Sequence, residues 1–223
     1  MGDSFTLTAP DGHKFAAYVA EPAGAPRGGI VVAMEMYGVN DYVRAVCDSW
    51  AGDGYRAIAP DLWARFQPGF TLPYDDEGNR IGKKMSAEAD WELALDDLQT
   101  AADAVRSAGK LAIVGFCYGG TLAWLAACRR RFDASVPYYG SDMCDYPDEI
   151  PRCPVLCHVG DKDTAVPPAE VAAFKAKRPE VPWHIYPGVV HGFDNFIRPA
   201  RYDEAASRLA RERTLAFLRR HIG

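Results

Sequence analysis

Short apolar runs alternate with helical spacings along this chain, and the alternation predicts βα units around a mostly parallel sheet. Phe5 to Leu7 and Lys14 to Ala20 flank the turn Pro10-Asp11-Gly12 and predict an antiparallel hairpin at one edge. Gly29 to Met34 reads as a buried strand, Asp41 to Gly52 as a helix, and Tyr55 to Ala59 as the next strand, closed by Pro60-Asp61. Arg65 to Lys84 is rich in Gly, Pro and charge and shows no period, so it is expected to be a long loop over the carboxyl edge of the sheet. Ser86 to Ala108 is the longest helical pattern, with Ser86 as N-cap, Glu88 and Asp90 in the first turn and Gly109 after the end. Further strands are expected at Leu111 to Val114, Ala134 to Tyr139, Val155 to Val159 and Trp183 to Tyr186. Further helices are expected at Glu170 to Lys177 and at Asp203 to Ile222, the last with Leu215, Leu218 and Ile222 on one face. The pattern shows no repeats, low-complexity tracts or linkers, so residues 1–223 are expected to form a single α/β domain with helices on both faces of the sheet.

Composition narrows the function classes. A chain of 223 residues, 48% hydrophobic, suits one sizeable core. The net charge of −5 argues against nucleic acid as the main partner, and no apolar stretch approaches a membrane span. The first residues lack a basic region followed by an apolar one, so no secretion signal is read and a cytoplasmic protein is expected. The six cysteines are then expected to be reduced thiols. Cys153, Cys157 and His158 lie close in sequence, but their spacing does not suit a metal knuckle and Pro154 to Val159 reads as a core strand. No metal or cofactor requirement is read. A monomer is expected, with a dimer as the alternative.

The candidate chemistry centres on Gly115-Phe116-Cys117-Tyr118-Gly119-Gly120, set between the strand Leu111 to Val114 and the helical run Thr121 to Ala127. Strand, sharp glycine-rich turn and helix make a nucleophile elbow with cysteine in place of serine. The turn should expose the Cys117 sulfur beside a helix N-terminus, where a thiolate is favoured. A cysteine nucleophile needs a base and an orienting acid, which in the α/β-hydrolase architecture follow in the order nucleophile, acid, histidine. His158 and His184 lie inside strand-like runs and His221 ends the last helix. His191 sits in the glycine-flanked loop after the final strand and is the candidate base. Asp163, in Gly160-Asp161-Lys162-Asp163, is the candidate acid, with Asp161 expected to bond the turn backbone. Glu35 ends a buried strand facing the same crevice. It is either an acid bonding nearby amides or an arginine, or one that contacts Cys117 and modulates its ionisation. The backbone N–H groups of Met36 and Tyr118 are the candidate oxyanion hole.

Assembled, these residues resemble the dienelactone hydrolase family of the α/β-hydrolase superfamily over nearly the whole chain. The resemblance rests on Glu35 with Gly38-Val39-Asn40, Ala59 to Arg65, the cysteine elbow, Gly160 to Asp163, His191-Gly192-Phe193 and Glu212 to Leu218. It implies a Cys117, Asp163, His191 triad on a fold without a separate cap domain. It also implies a glutamate, Glu35, that pairs with the cysteine at rest and moves when substrate binds. The implied reaction opens an unsaturated lactone bearing a carboxylate, giving maleylacetate in aromatic degradation. Such enzymes hold that carboxylate with two arginines. Asn195 stands where one of them is expected, Arg198 lies three residues further as a candidate substitute, and Arg80 is the candidate for the other. Tyr37, in the turn after Glu35, joins them as a candidate substrate contact. The same triad also suits a thioesterase, an acyltransferase or a general esterase of activated esters. A binding protein on the same scaffold is a further alternative, against which the intact triad counts, and redox sensing through Cys117 is another.

Overall fold

The computed structural model describes residues 2–223. Eight strands form one sheet: β1 (Asp3–Thr8), β2 (Lys14–Ala20), β3 (Gly29–Ala33), β4 (Arg56–Pro60), β5 (Leu111–Phe116), β6 (Ala134–Tyr138), β7 (Cys157–Gly160) and β8 (Trp183–Tyr186). Their order is β1-β2-β4-β3-β5-β6-β7-β8. β2 pairs antiparallel with both β1 and β4, and the pairs from β4 through β8 are parallel. Among the described residues, six α-helices complete the fold: α1 (Asp41–Gly52), α2 (Asp76–Glu88), α3 (Trp91–Ala104), α4 (Tyr118–Arg129), α5 (Pro168–Lys177) and α6 (Glu204–His221).

The central strands β3, β5 and β6 are buried at every residue because helices cover both faces of a parallel sheet. That is why β3 and β5 read in sequence as unbroken apolar runs rather than as alternations, while β6 is interrupted by Ser135, whose buried hydroxyl donates to the Ala123 carbonyl at 2.8 Å. α4 is buried from Tyr118 to Cys128 and packs on β5 and β6. The arrangement is that of an α/β hydrolase, with the carboxyl ends of the parallel strands facing one crevice.

Two expectations change. The segment Arg65 to Lys84 is a loop only in its first half: after a 3-10 turn over Leu62–Arg65, residues 66–75 are irregular, and α2 begins at Asp76. The buried stripe of α2 is Gly78, Gly82 and Met85, a helical spacing in which two members carry no side chain, so no apolar period appears. A Cβ at Gly82 would meet Met36, so the glycine lets α2 lie flush on the turn after β3. Asp75 caps the helix by accepting from the Gly78 amide at 2.7 Å. The second change divides Ser86 to Ala108. The chain is extended at Ala89, and Asp90 starts α3 by accepting from the Glu92 and Leu93 amides at 2.8 and 3.1 Å. Ser86 lies near the end of α2, where its hydroxyl donates to the Gly82 carbonyl rather than capping a helix.

Candidate active site

Cys117 links β5 to α4 in a strained conformation, φ 55° and ψ −115°. For a residue with a Cβ this region is costly, and the surroundings compel it. A Cβ at Gly115 would strike the Gly119 backbone, and one at Gly119 would strike the Ala33 carbonyl. Only glycine at both places lets the turn close this tightly on the sheet. The Cys117 amide donates to the Tyr138 carbonyl at 3.1 Å, and its own carbonyl accepts from Gly120 and Thr121 at 2.8 and 3.2 Å. The sulfur thus stands at the N-terminus of α4, on the wall of a cavity of about 560 Å³.

Three elements converge there. The loop after β7 carries Asp163, whose Oδ1 accepts from the Ala165 and Val166 amides at 2.8 and 2.9 Å. Its Oδ2 accepts from His191 Nδ1 at 2.8 Å. That bond orients the ring and leaves Nε2 as the free ring nitrogen, on the same cavity wall as Cys117. Burial pulls the His191 pKa down. The neighbouring Cys117, the hydrogen bond to Asp163 and the Asp163 carboxylate outweigh it and raise the imidazole to about 10. Asp161 accepts from the Gly188 amide at 2.7 Å, a turn-closing bond as expected from the sequence.

The turn after β3 supplies the opposite wall. Met36 and Tyr118 both line the cavity, and neither backbone amide has a hydrogen-bond acceptor among the described residues. The Met36 carbonyl is fixed by the Trp63 indole N–H at 3.0 Å, which orients the turn. Glu35 is buried and hydrogen-bonds elsewhere than the thiol: Oε2 accepts from Asn195 Nδ2 at 2.7 Å and from the Tyr74 hydroxyl at 3.4 Å. Burial raises the Glu35 pKa against the pull of the Arg198 charge and the Asn195 bond.

The candidate substrate contacts divide. Tyr37 and Arg198 line the cavity, with the Arg198 guanidinium 5.2 Å from the Tyr37 ring centroid and 5.0 Å from that of Tyr74. Arg80 does not line it. Arg80 is exposed on α2 and paired with Glu77 at 2.6 Å. Asn195 is fully buried behind the wall, where its side-chain amide serves Glu35 and Tyr74 and its carbonyl accepts from the Ile197 amide. Sequence reasoning missed Arg201, which also lines the cavity and donates to the His191 carbonyl at 3.3 Å. Its signal was the spacing Arg198-Pro199-Ala200-Arg201 directly after the histidine loop. It also missed Trp91, stacked on Tyr118 with ring centroids 5.1 Å apart, because the helix break before it was not read.

A strand–elbow–helix cysteine facing a histidine and an aspartate on successive loops defines a hydrolase of the α/β class. The sequence profile of the dienelactone hydrolase family matches residues 15–222, and the chain belongs to that family. It is 34% identical over 228 residues to a carboxymethylenebutenolidase of Pseudomonas putida, covering 98% of this chain and 96% of the relative. It is 29% identical over 228 residues to carboxymethylenebutenolidase 1 of Cupriavidus pinatubonensis, covering 98% and 97%. A solved structure from Klebsiella pneumoniae superposes with a TM-score of 0.81 at 26% identity, covering 97% of this chain and 98% of that one. The protein is an ester hydrolase with a cysteine mechanism. No helix among the described residues is long and apolar enough to cross a membrane.

Proposed function

We propose that the protein opens carboxylated enol-lactones such as dienelactone, and cleaves related activated esters, through a thioester on Cys117. The observation that carries this reading is the Asp163–His191 bond of 2.8 Å behind a Cys117 that opens on the cavity. His191, oriented by Asp163, takes the Cys117 proton, and the sulfur attacks as thiolate. The thiolate attacks the lactone carbonyl carbon, and the displaced electron pair moves onto the carbonyl oxygen. The Met36 and Tyr118 amides donate to that oxyanion. Collapse expels the enolate, which takes the proton from His191 Nε2. An enolate leaves far more readily than an alkoxide or an amine, so activated esters are favoured over amides.

The second half follows from the charge change. Acylation removes the negative charge on Cys117 that helped raise the His191 pKa, so the imidazole becomes a usable base. His191 then takes a proton from water as the water oxygen attacks the thioester. The sulfur leaves as thiolate, the acid product departs, and the imidazolium–thiolate pair is restored. Arg198 and Arg201 supply the cations for a substrate carboxylate, in place of the arginine that Asn195 replaces.

Steady-state hydrolysis of cis- and trans-dienelactone, with p-nitrophenyl acetate alongside, tests the reading. A kcat/KM for either lactone above that for the acetate ester, abolished by Cys117→Ala, is the expected result. Lactone turnover no better than that of the neutral ester overturns the carboxylated-lactone assignment.

A further inference from the structure

Among the described residues, two other than glycine take a positive φ: Cys117 and Tyr139, the latter at 39°. A bulky aromatic residue in that region is a rarer event than a small polar one, and glycine would take the conformation without strain. Tyr139 follows β6 directly. The carbonyl of the preceding residue, Tyr138, accepts the Cys117 amide at 3.1 Å, and the Tyr139 amide donates to the His158 carbonyl at 2.7 Å. The backbone is therefore pinned on both sides, and the kink falls between the elbow and β7. It directs a buried ring against the His191 imidazole, with centroids 5.0 Å apart and planes at 63°. The same ring packs edge-on to Phe193, two residues beyond the histidine, at 5.4 Å. It also packs on Phe116, the residue before Cys117, at 6.2 Å.

We propose that Tyr139 is a positioning residue: its left-handed backbone turns the ring under His191 and fixes the imidazole plane toward Cys117. This rests on the reading of Cys117 and His191 as nucleophile and base. A T-shaped aromatic pair of this kind favours one ring orientation. The strain at Tyr139 is then retained for what the ring does. A smaller residue would relieve the backbone and lose the wall that holds the imidazole.

The test separates ring from backbone. Tyr139→Phe keeps the ring. Tyr139→Asn keeps a residue that tolerates the left-handed region, and Tyr139→Gly removes the strain; both lose the ring. The readouts are the melting transition, kcat and KM for p-nitrophenyl acetate, and the pH profile of Cys117 alkylation by iodoacetamide without substrate. Tyr139→Phe is expected to match the unmodified protein. The ringless variants are expected to melt cooperatively, to lose about tenfold or more in kcat with KM unchanged, and to alkylate more slowly on the acid side of neutrality. A folded ringless variant with the original kcat and alkylation profile overturns the proposal. Loss of the melting transition in both ringless variants also overturns it, in favour of a purely structural ring. Alkylation requires no turnover, so this result stands apart from any failure of the hydrolase reading.

Discussion

Asn195 Nδ2 donates to Glu35 Oε2 at 2.7 Å and so anchors a buried carboxylate of the cavity wall. The Tyr74 hydroxyl completes the cage, itself accepting from Asn195 and Asn40 at 2.8 Å each. Family resemblance implies a Glu35–Cys117 resting pair; among the described residues the Glu35 carboxylate has Asn195 and Tyr74 as its hydrogen-bond partners. A buried carboxylate that loses a donor is left partly unsatisfied. Asn195→Ala is expected to destabilise the fold by about 1–3 kcal/mol, and by less in a Glu35→Gln background. Denaturant unfolding of the four proteins in a double-mutant cycle checks it; additive effects would remove the coupling.

The two arginines of the cavity predict a charge preference. Arg198→Ala and Arg201→Ala are each expected to raise KM for a carboxylated ester by about tenfold or more. The methyl ester of the same substrate should be much less affected. Arg80→Ala should change neither, because Arg80 is exposed and spent on Glu77. Matched kinetics on the acid and its methyl ester decide the point, and equal effects on both would assign the arginines another role.

A second buried histidine predicts a pH dependence of stability. His158 is fully buried, with Nδ1 2.9 Å from the Tyr186 hydroxyl and Nε2 3.0 Å from Thr214 Oγ1. Burial lowers its pKa well below 6.5, aided by the charges of His184 and Arg213. The unfolded chain therefore binds a proton that the folded chain refuses. Stability is unaffected by this group above the unfolded pKa and falls as the pH drops beneath it, by about 1.4 kcal/mol per pH unit. His158→Gln removes that slope. Unfolding curves of both proteins between neutral and acid pH should converge as the pH falls, and a constant gap between them would contradict the account.

Much of the sheet was legible because parallel strands buried on both faces read as apolar runs, and β3 and β5 fall where those runs lie. The elbow was legible for a different reason: glycines with no room for a side chain leave a mark in sequence. α2 was not legible, since its contact face is built from Gly78 and Gly82 and carries no apolar period. On α6 the fully buried ladder is Ala206, Ala210, Thr214 and Leu218, while Leu215 is only partly buried. Small residues and a threonine hydroxyl bonded to Tyr138 and His158 hid that face. Within the site, Cys117, Asp163 and His191 announced themselves by order along the chain. Asn195 was noticed only as standing where an arginine is expected; its bond to Glu35 was not legible, because the two lie 160 residues apart and only the fold brings them together.

The central claim is that Cys117 is the nucleophile. Replacing it by alanine and measuring p-nitrophenyl acetate hydrolysis, with the melting transition as a check on folding, tests that claim most directly. The account predicts an unchanged transition and a loss of about 10³-fold or more in kcat/KM. A folded Cys117→Ala protein that retains its turnover would contradict it.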